Sequence, residues 1–228
     1  MLRIGGMTPC SASDYPGHFA AVVFCQGCSW QCAYCHNPHL LPVSEPSTMT
    51  WDEVLRFLGR RQGLLDAVVF SGGEPTLQRE LVYAVRAVKD LGFKVGLHTA
   101  GMSPERLRDV LPLLDWVGMD VKAPFDEYDL ITGVVGSGSK ARDSVRRILD
   151  SGADHEFRTT VHSALLSHEA LLTMADELAT MGVQHYVLQE FRQQGCAQSL
   201  PAMSAEYLCH DTIERLGRQF RQFSVREA

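Results

Sequence analysis

Short apolar runs rich in β-branched residues alternate along this chain with longer segments of helical period, which confines it to folds built from repeated strand–helix units. The runs cover 20–24, 67–70, 93–97, 116–119, 157–161 and 186–188. Most are nearly continuous in apolar character, as strands buried on both faces are. The segments between them carry helix start and stop signals. Thr50 and Glu53 form a capping-box pattern ahead of Val54, Leu55 and Leu58. Leu77, Leu81, Val85 and Val88 make one stripe that stops at Gly92, and Ser103-Pro104 reads as an N-cap and first helical residue. Ser167 opens a segment bearing Leu171, Met174, Ala175 and Leu178, closed by Gly182.

Six strands, each followed by a helix, imply a parallel sheet with right-handed crossovers. Eight such units take ~250 residues, more than the 228 present. A partial (β/α)6 barrel, open on one side, fits as a single α/β domain. It divides into an N-terminal extension over 1–19, six βα units over 20–190, and a C-terminal segment with a helix over 191–228. Gly133, Gly136 and Gly138 mark 132–139 as a mobile loop.

A formal net charge of −6 gives no electrostatic reason to expect nucleic acid. Arg142, Arg146, Arg147, Arg215, Arg218, Arg221 and Arg226 read as solvated helix faces. No apolar run approaches the ~20 residues of a membrane span, and the first residues lack the layout of a secretory signal. A cytoplasmic location is the expectation.

Four of the seven cysteines fall between 25 and 35, a clustering that points to metal rather than to disulfides. Cys28-x3-Cys32-x2-Cys35 puts three thiolates on one tight loop at the end of the first predicted strand. A cubane cluster takes one thiolate per iron, so three cysteines leave the fourth iron open to a chelating ligand. The competing readings are a zinc shell of Cys25, Cys28, Cys32 and Cys35, or a four-cysteine electron-transfer cluster. Zinc knuckles are usually separated by a dozen or more residues, and a gap of three is awkward for a tetrahedral shell. Cys25, in or at the edge of the strand, reads as a buried thiol.

With aromatic Tyr34 before the last cysteine, this pattern resembles the radical S-adenosylmethionine (SAM) superfamily. The continuation Tyr34-Cys35-His36-Asn37-Pro38 is similar to that of the activases of glycyl-radical enzymes. Over nearly its whole length the chain resembles the longer form of the anaerobic ribonucleoside-triphosphate reductase activase. The pyruvate formate-lyase activase is a more distant relative. The resemblance implies a [4Fe–4S] cluster on Cys28, Cys32 and Cys35, with SAM chelating the open iron. It places Tyr34 and His36 beside the adenine, and Gly72-Gly73-Glu74 at the SAM amino group. Glycines there let the backbone approach, and Glu74 offers a carboxylate to the ammonium or a nearby donor.

Thr99 and Gly101 match a strand-end Asp-Thr-Asn-Gly of the formate-lyase activases, where Asp and Thr help bind a monovalent cation. His98 and Ala100 depart from it, and histidine is a poor ligand for a hard monovalent ion. Asp120 and Lys122 share a strand face. The resemblance puts Lys122 on the SAM carboxylate and Asp120 near the cation or substrate, against the alternative of a local ion pair. Arg158 resembles an arginine near the active site, with a salt bridge to Glu156 as the alternative. His162 and Gln189 occupy strand-end polar positions. Phe191 and Arg192 stand where the formate-lyase activases carry a histidine.

By resemblance, one electron from the reduced cluster splits SAM into methionine and a 5′-deoxyadenosyl radical, which takes hydrogen from a glycine Cα of a partner enzyme. The partner expected is the anaerobic ribonucleotide reductase, and the reductant a flavodoxin- or ferredoxin-like protein, since Cys10, Cys196 and Cys209 are too scattered for a second cluster. Two other functions compete: a radical SAM enzyme acting on a small molecule such as a deazapurine or amino acid, and a non-enzymatic iron–sulfur or zinc-binding carrier. A carrier would not need the Gly72-Gly73-Glu74 turn.

Overall fold

The computed structural model describes residues 1–196, 199–204 and 206–227. Of the C-terminal segment expected over 191–228, residues 197, 198, 205 and 228 lie outside the described residues. Eight strands form one sheet in sequence order: β1 (Ile4–Ser11), β2 (Ala20–Cys25), β3 (Ala67–Gly72), β4 (Lys94–Thr99), β5 (Trp116–Asp120), β6 (Asp154–Val161), β7 (His185–Glu190) and β8 (Gln222–Arg226). β1 pairs antiparallel with β2, and every later pairing is parallel. Among the described residues β1 and β8 do not pair, so the barrel stays open. The helices α1 (Trp51–Gly59), α2 (Leu81–Asp90), α3 (Pro104–Val110), α4 (Tyr128–Thr132), α5 (Ser137–Ser151), α6 (His168–Thr180) and α7 (His210–Gly217) supply the crossovers. Each of the six predicted strands is present and somewhat longer than expected, except that Phe93 lies outside β4.

Alternation along the strands explains why their apolar character is continuous. On β2, Ala21, Val23 and Cys25 join the large core packed against the helices, while Ala20 and Val22 face a second, smaller cluster with Tyr15, Ala67, Val69 and Trp116. That smaller cluster fills the lower part of the concave face. Tyr15, from the turn between β1 and β2, packs 5.3 Å from Trp116 by ring centroids. Gly96 and Gly118 face the same interior: a Cβ on Gly118 would lie 2.6 Å from the Trp116 ring and 2.9 Å from the Arg158 guanidinium. Small residues on the inner face thus make room for one indole and one arginine.

Four expectations are corrected. The 77–92 stripe is split: Pro75–Leu77 is a 3-10 turn capped by Glu74, and α2 starts at Leu81. The glycine-rich segment expected as a mobile loop over 132–139 is a loop only over 133–136. α4 ends at Thr132, Gly133 takes a left-handed conformation, and α5 begins at Ser137, with the Asp129 carboxylate accepting the N–H groups of Gly136 and Ser137. Strands also occur in the N-terminal extension and the C-terminal segment, where none was predicted. Finally, Arg226 is on no helix face; it lies on β8 and pairs with the buried Glu156. No helix among the described residues is long and apolar enough to cross a membrane.

Candidate active site

The cysteine loop begins where β2 ends. Cys25 is the last residue of β2, has no exposed surface and packs in the core on the helix side. Burial pushes its thiol pKa up. Beyond it the chain closes on itself: the N–H of Gly27 donates to the Leu40 carbonyl at 2.8 Å, and that of Cys28 to the Leu41 carbonyl at 3.0 Å. Inside this closure Cys35 N–H donates to the Cys32 carbonyl at 3.1 Å, and Gln31 N–H to the Thr132 carbonyl of α4 at 2.9 Å. The three thiols of Cys28, Cys32 and Cys35 are partly exposed and line one cavity at the C-terminal ends of the strands. Burial raises the Cys28 pKa to about 12.

The opposite walls come from successive strand ends. Gly72 has φ of 115°, and a side chain there would collide with the backbone of Cys25; one on Gly73 would strike the Gly27 carbonyl. The exits of β2 and β3 are therefore in backbone contact, tied by Gly73 N–H to the Cys25 carbonyl and Glu74 N–H to the Gly27 carbonyl, both at 2.9 Å. Ser71, His98, Asp120 and Thr160 form the uppermost inward layer and line the cavity with Thr99 and Lys122. Lys122 Nζ sits 5.4 Å from the centre of the buried Tyr34 ring. Burial opposes the charge on Lys122, yet Tyr34, Cys32 and Asp120 more than offset it and hold its pKa well above the ordinary value. Burial likewise opposes the Asp120 carboxylate, and Arg158, Lys122 and His98 outweigh it, lowering the Asp120 pKa. His98 departs from a cation ligand in its bonding as well. Its Nε2 meets the Asp14 carbonyl at 2.9 Å and its Nδ1 the Ser71 hydroxyl at 3.3 Å. Burial, with the Arg158 charge nearby, lowers its pKa to about 4, so the ring is neutral at pH 7.

Two of the predicted site residues, Glu74 and Arg158, stand outside the cavity lining. Glu74 has no exposed surface, and its carboxylate is occupied by Thr76 N–H, the Thr76 and Thr99 hydroxyls and Ala100 N–H, at 3.1, 2.5, 2.7 and 2.8 Å. It staples the end of β3 to the end of β4. Arg158 is also behind the wall, 6% exposed. Its Nε donates to Asp120 Oδ1 at 2.9 Å, whereas Glu156, the alternative partner, is 4.0 Å away. Tyr34, His36, Gly72, Gly73, Thr99, Asp120 and Lys122 all reach the cavity. His162 does not: it accepts Ala164 N–H on Nδ1 at 3.1 Å and donates from Nε2 to the Pro201 carbonyl at 3.0 Å. Gln189 is not among the lining residues either. Trp30, Met102, Ser71 and Thr160 line it unpredicted; inward-facing alternation would have flagged the last two.

Cys25 points away into the core. The donor set therefore suits a cluster that spreads three thiolates over three irons better than a zinc shell.

Residues 22–176 match the Radical SAM superfamily, and the chain belongs to it. Its cofactors are accordingly a [4Fe–4S] cluster and SAM. A protein of Methanocaldococcus jannaschii that bears the name of a glycyl-radical enzyme activating enzyme is 31% identical over 82% of this chain and 79% of its own. The pyruvate formate-lyase-activating enzyme of Clostridium pasteurianum is 35% identical over 58% of each. The crystal structure of Streptococcus suis SuiB bound to S-adenosylmethionine superimposes with a TM-score of 0.69 at 12% identity, over 89% of this chain and 48% of SuiB. The chain thus spans about half of SuiB, and at that identity the likeness speaks for the fold alone.

Proposed function

We propose that this protein is a glycyl-radical-enzyme activase whose partner is an anaerobic ribonucleoside-triphosphate reductase. The observation that carries the reading is a cavity in which three thiols of one loop face a cationic lysine and an open glycine backbone. Homology to activating enzymes over most of the chain supports the substrate class. Cys28, Cys32 and Cys35 hold the cluster, and Cys25 does not. A reduced cluster held there would supply the one electron that cleaves SAM into methionine and a 5′-deoxyadenosyl radical. Lys122, charged and braced against Tyr34, takes the SAM carboxylate. The Gly72-Gly73 backbone receives the ammonium group, and Tyr34 with His36 borders the adenine. Thr99 and Asp120 complete the wall and keep water from the reacting atoms. The electron comes from a flavodoxin- or ferredoxin-like protein.

The test is anaerobic reconstitution, reduction with dithionite and quantitation of 5′-deoxyadenosine. Replacing Cys28, Cys32 or Cys35 by Ala is expected to reduce product to background; Cys25→Ala is expected to retain it. Adding the reductase should yield an organic radical signal with glycine coupling. SAM cleavage without that signal would favour a small-molecule substrate, and absence of cleavage in the wild type would leave only the carrier reading.

A further inference from the structure

Arg226 lies on the edge strand β8, yet its guanidinium grips a carboxylate that has no exposed surface. Its two terminal nitrogens donate to Oε1 and Oε2 of Glu156 at 2.9 and 2.8 Å. Arg158 follows on the same face of β6. One of its terminal nitrogens is 4.0 Å from Glu156 Oε1, but its short contact, from Nε, is to Asp120 at 2.9 Å. Of these four residues only Asp120 lines the cavity. Arg226, Glu156, Arg158 and Asp120 therefore alternate in sign from the sheet edge to the cavity wall.

A fully buried carboxylate needs a counter-ion. With Arg226 in place Glu156 is served in bidentate fashion, and Arg158 is left to Asp120. Without it, Glu156 would have Arg158 and, at 3.8 Å, His185 Nε2. Arginine is permanently charged, whereas histidine carries charge only when protonated. Arg158 is the stronger competitor, and a shift of about 1 Å would bring it to hydrogen-bond distance of Glu156. We infer that Arg226 is a positioning residue of the SAM site: by satisfying Glu156 it keeps Arg158 on Asp120 and so fixes the carboxylate at the cavity wall. The inference rests on the reading of that cavity given above.

Arg226→Gln and the double variant Arg226→Gln/Glu156→Gln test it, each with a thermal unfolding curve to verify the fold. Two quantities are read: solvent exchange of the Arg158 Nε–H proton by NMR in cluster-free protein, and the Kd for SAM in cluster-loaded protein. The single variant should speed the exchange and raise Kd about tenfold, the scale of one charge-assisted hydrogen bond. The double variant should restore both, because the neutral amide that replaces the Glu156 carboxylate no longer draws Arg158 away. Unchanged exchange and Kd in the single variant, with or without a lowered melting temperature, would overturn the proposal. So would a double variant as impaired as the single. If Arg226→Gln does not fold, Arg226→Lys, which keeps the charge but gives up the two-nitrogen grip on Glu156, takes its place: a smaller rise in exchange and Kd, removed by adding Glu156→Gln, is then expected, and its absence overturns the proposal. Failure of the wild type to bind SAM would sink the site assignment instead, and the exchange series would still decide the coupling.

Discussion

Glu74 braces the cavity from behind its wall rather than lining it. Its Oε1 accepts three donors and its Oε2 accepts Ala100 N–H. In Glu74→Gln the amide can keep its oxygen toward the three donors only by turning its NH2 against Ala100 N–H. One buried donor is then unsatisfied, which costs about 1–3 kcal/mol. Urea unfolding should show that loss of stability; an unchanged midpoint would mean the carboxylate does not staple the two strand ends. The sequence made Glu74 conspicuous but not its direction, because a Gly-Gly-Glu turn is compatible with a side chain facing either way. The cysteines were legible for the opposite reason: their spacing alone limits how three thiols on one loop can be used. Arg226 was not legible, since an arginine near a polar C-terminal strand looks like any solvated one until the partner buried 70 positions away is known.

At the level of elements, the strands buried on both faces announced themselves, and the edges did not. β1 contains Gly5, Gly6 and Pro9 and pairs through two register irregularities, so its pattern has neither the alternation nor the apolar density of a strand. β8 is five residues long, and three of them, Gln222, Ser224 and Arg226, are polar. Where elements meet, glycine decides. Gly72 combines φ of 115° with backbone contact to Cys25, so Gly72→Ala meets two penalties that cannot relax together. Gly133 has φ of 69° but only the Gln31 Cβ, at 3.9 Å, as a neighbour. Gly133→Ala should therefore cost only the left-handed backbone, about 1–2 kcal/mol. Gly72→Ala should cost clearly more and also impair SAM binding, because the β2 and β3 exits must separate. Equal unfolding midpoints for the two variants would contradict this account of the junction.

For the molecule as a whole, stability and chemistry reside in different layers. The large core is built from the outer strand faces and the helices, and the smaller cluster plugs the lower interior with Tyr15 and Trp116. From the cysteine loop only Trp30, Tyr34 and Leu40 are buried apolar side chains, and the loop is held largely by backbone bonds to its own far end, to α4 and to β3. A bound cluster would thus stabilise the native state by mass action without being needed to form it. Removing iron with a chelator is expected to leave the far-ultraviolet circular dichroism unchanged and amide exchange in β2 to β7 slow. Exchange should accelerate over 28–41 and over 191–196, where the His36 ring stacks on Phe191 at 5.5 Å and meets the Arg192 carbonyl at 2.9 Å. This separation follows from placing the site on the strand ends above a core that is already filled. Loss of protection throughout the sheet on chelation would show that cluster and core fold as one unit.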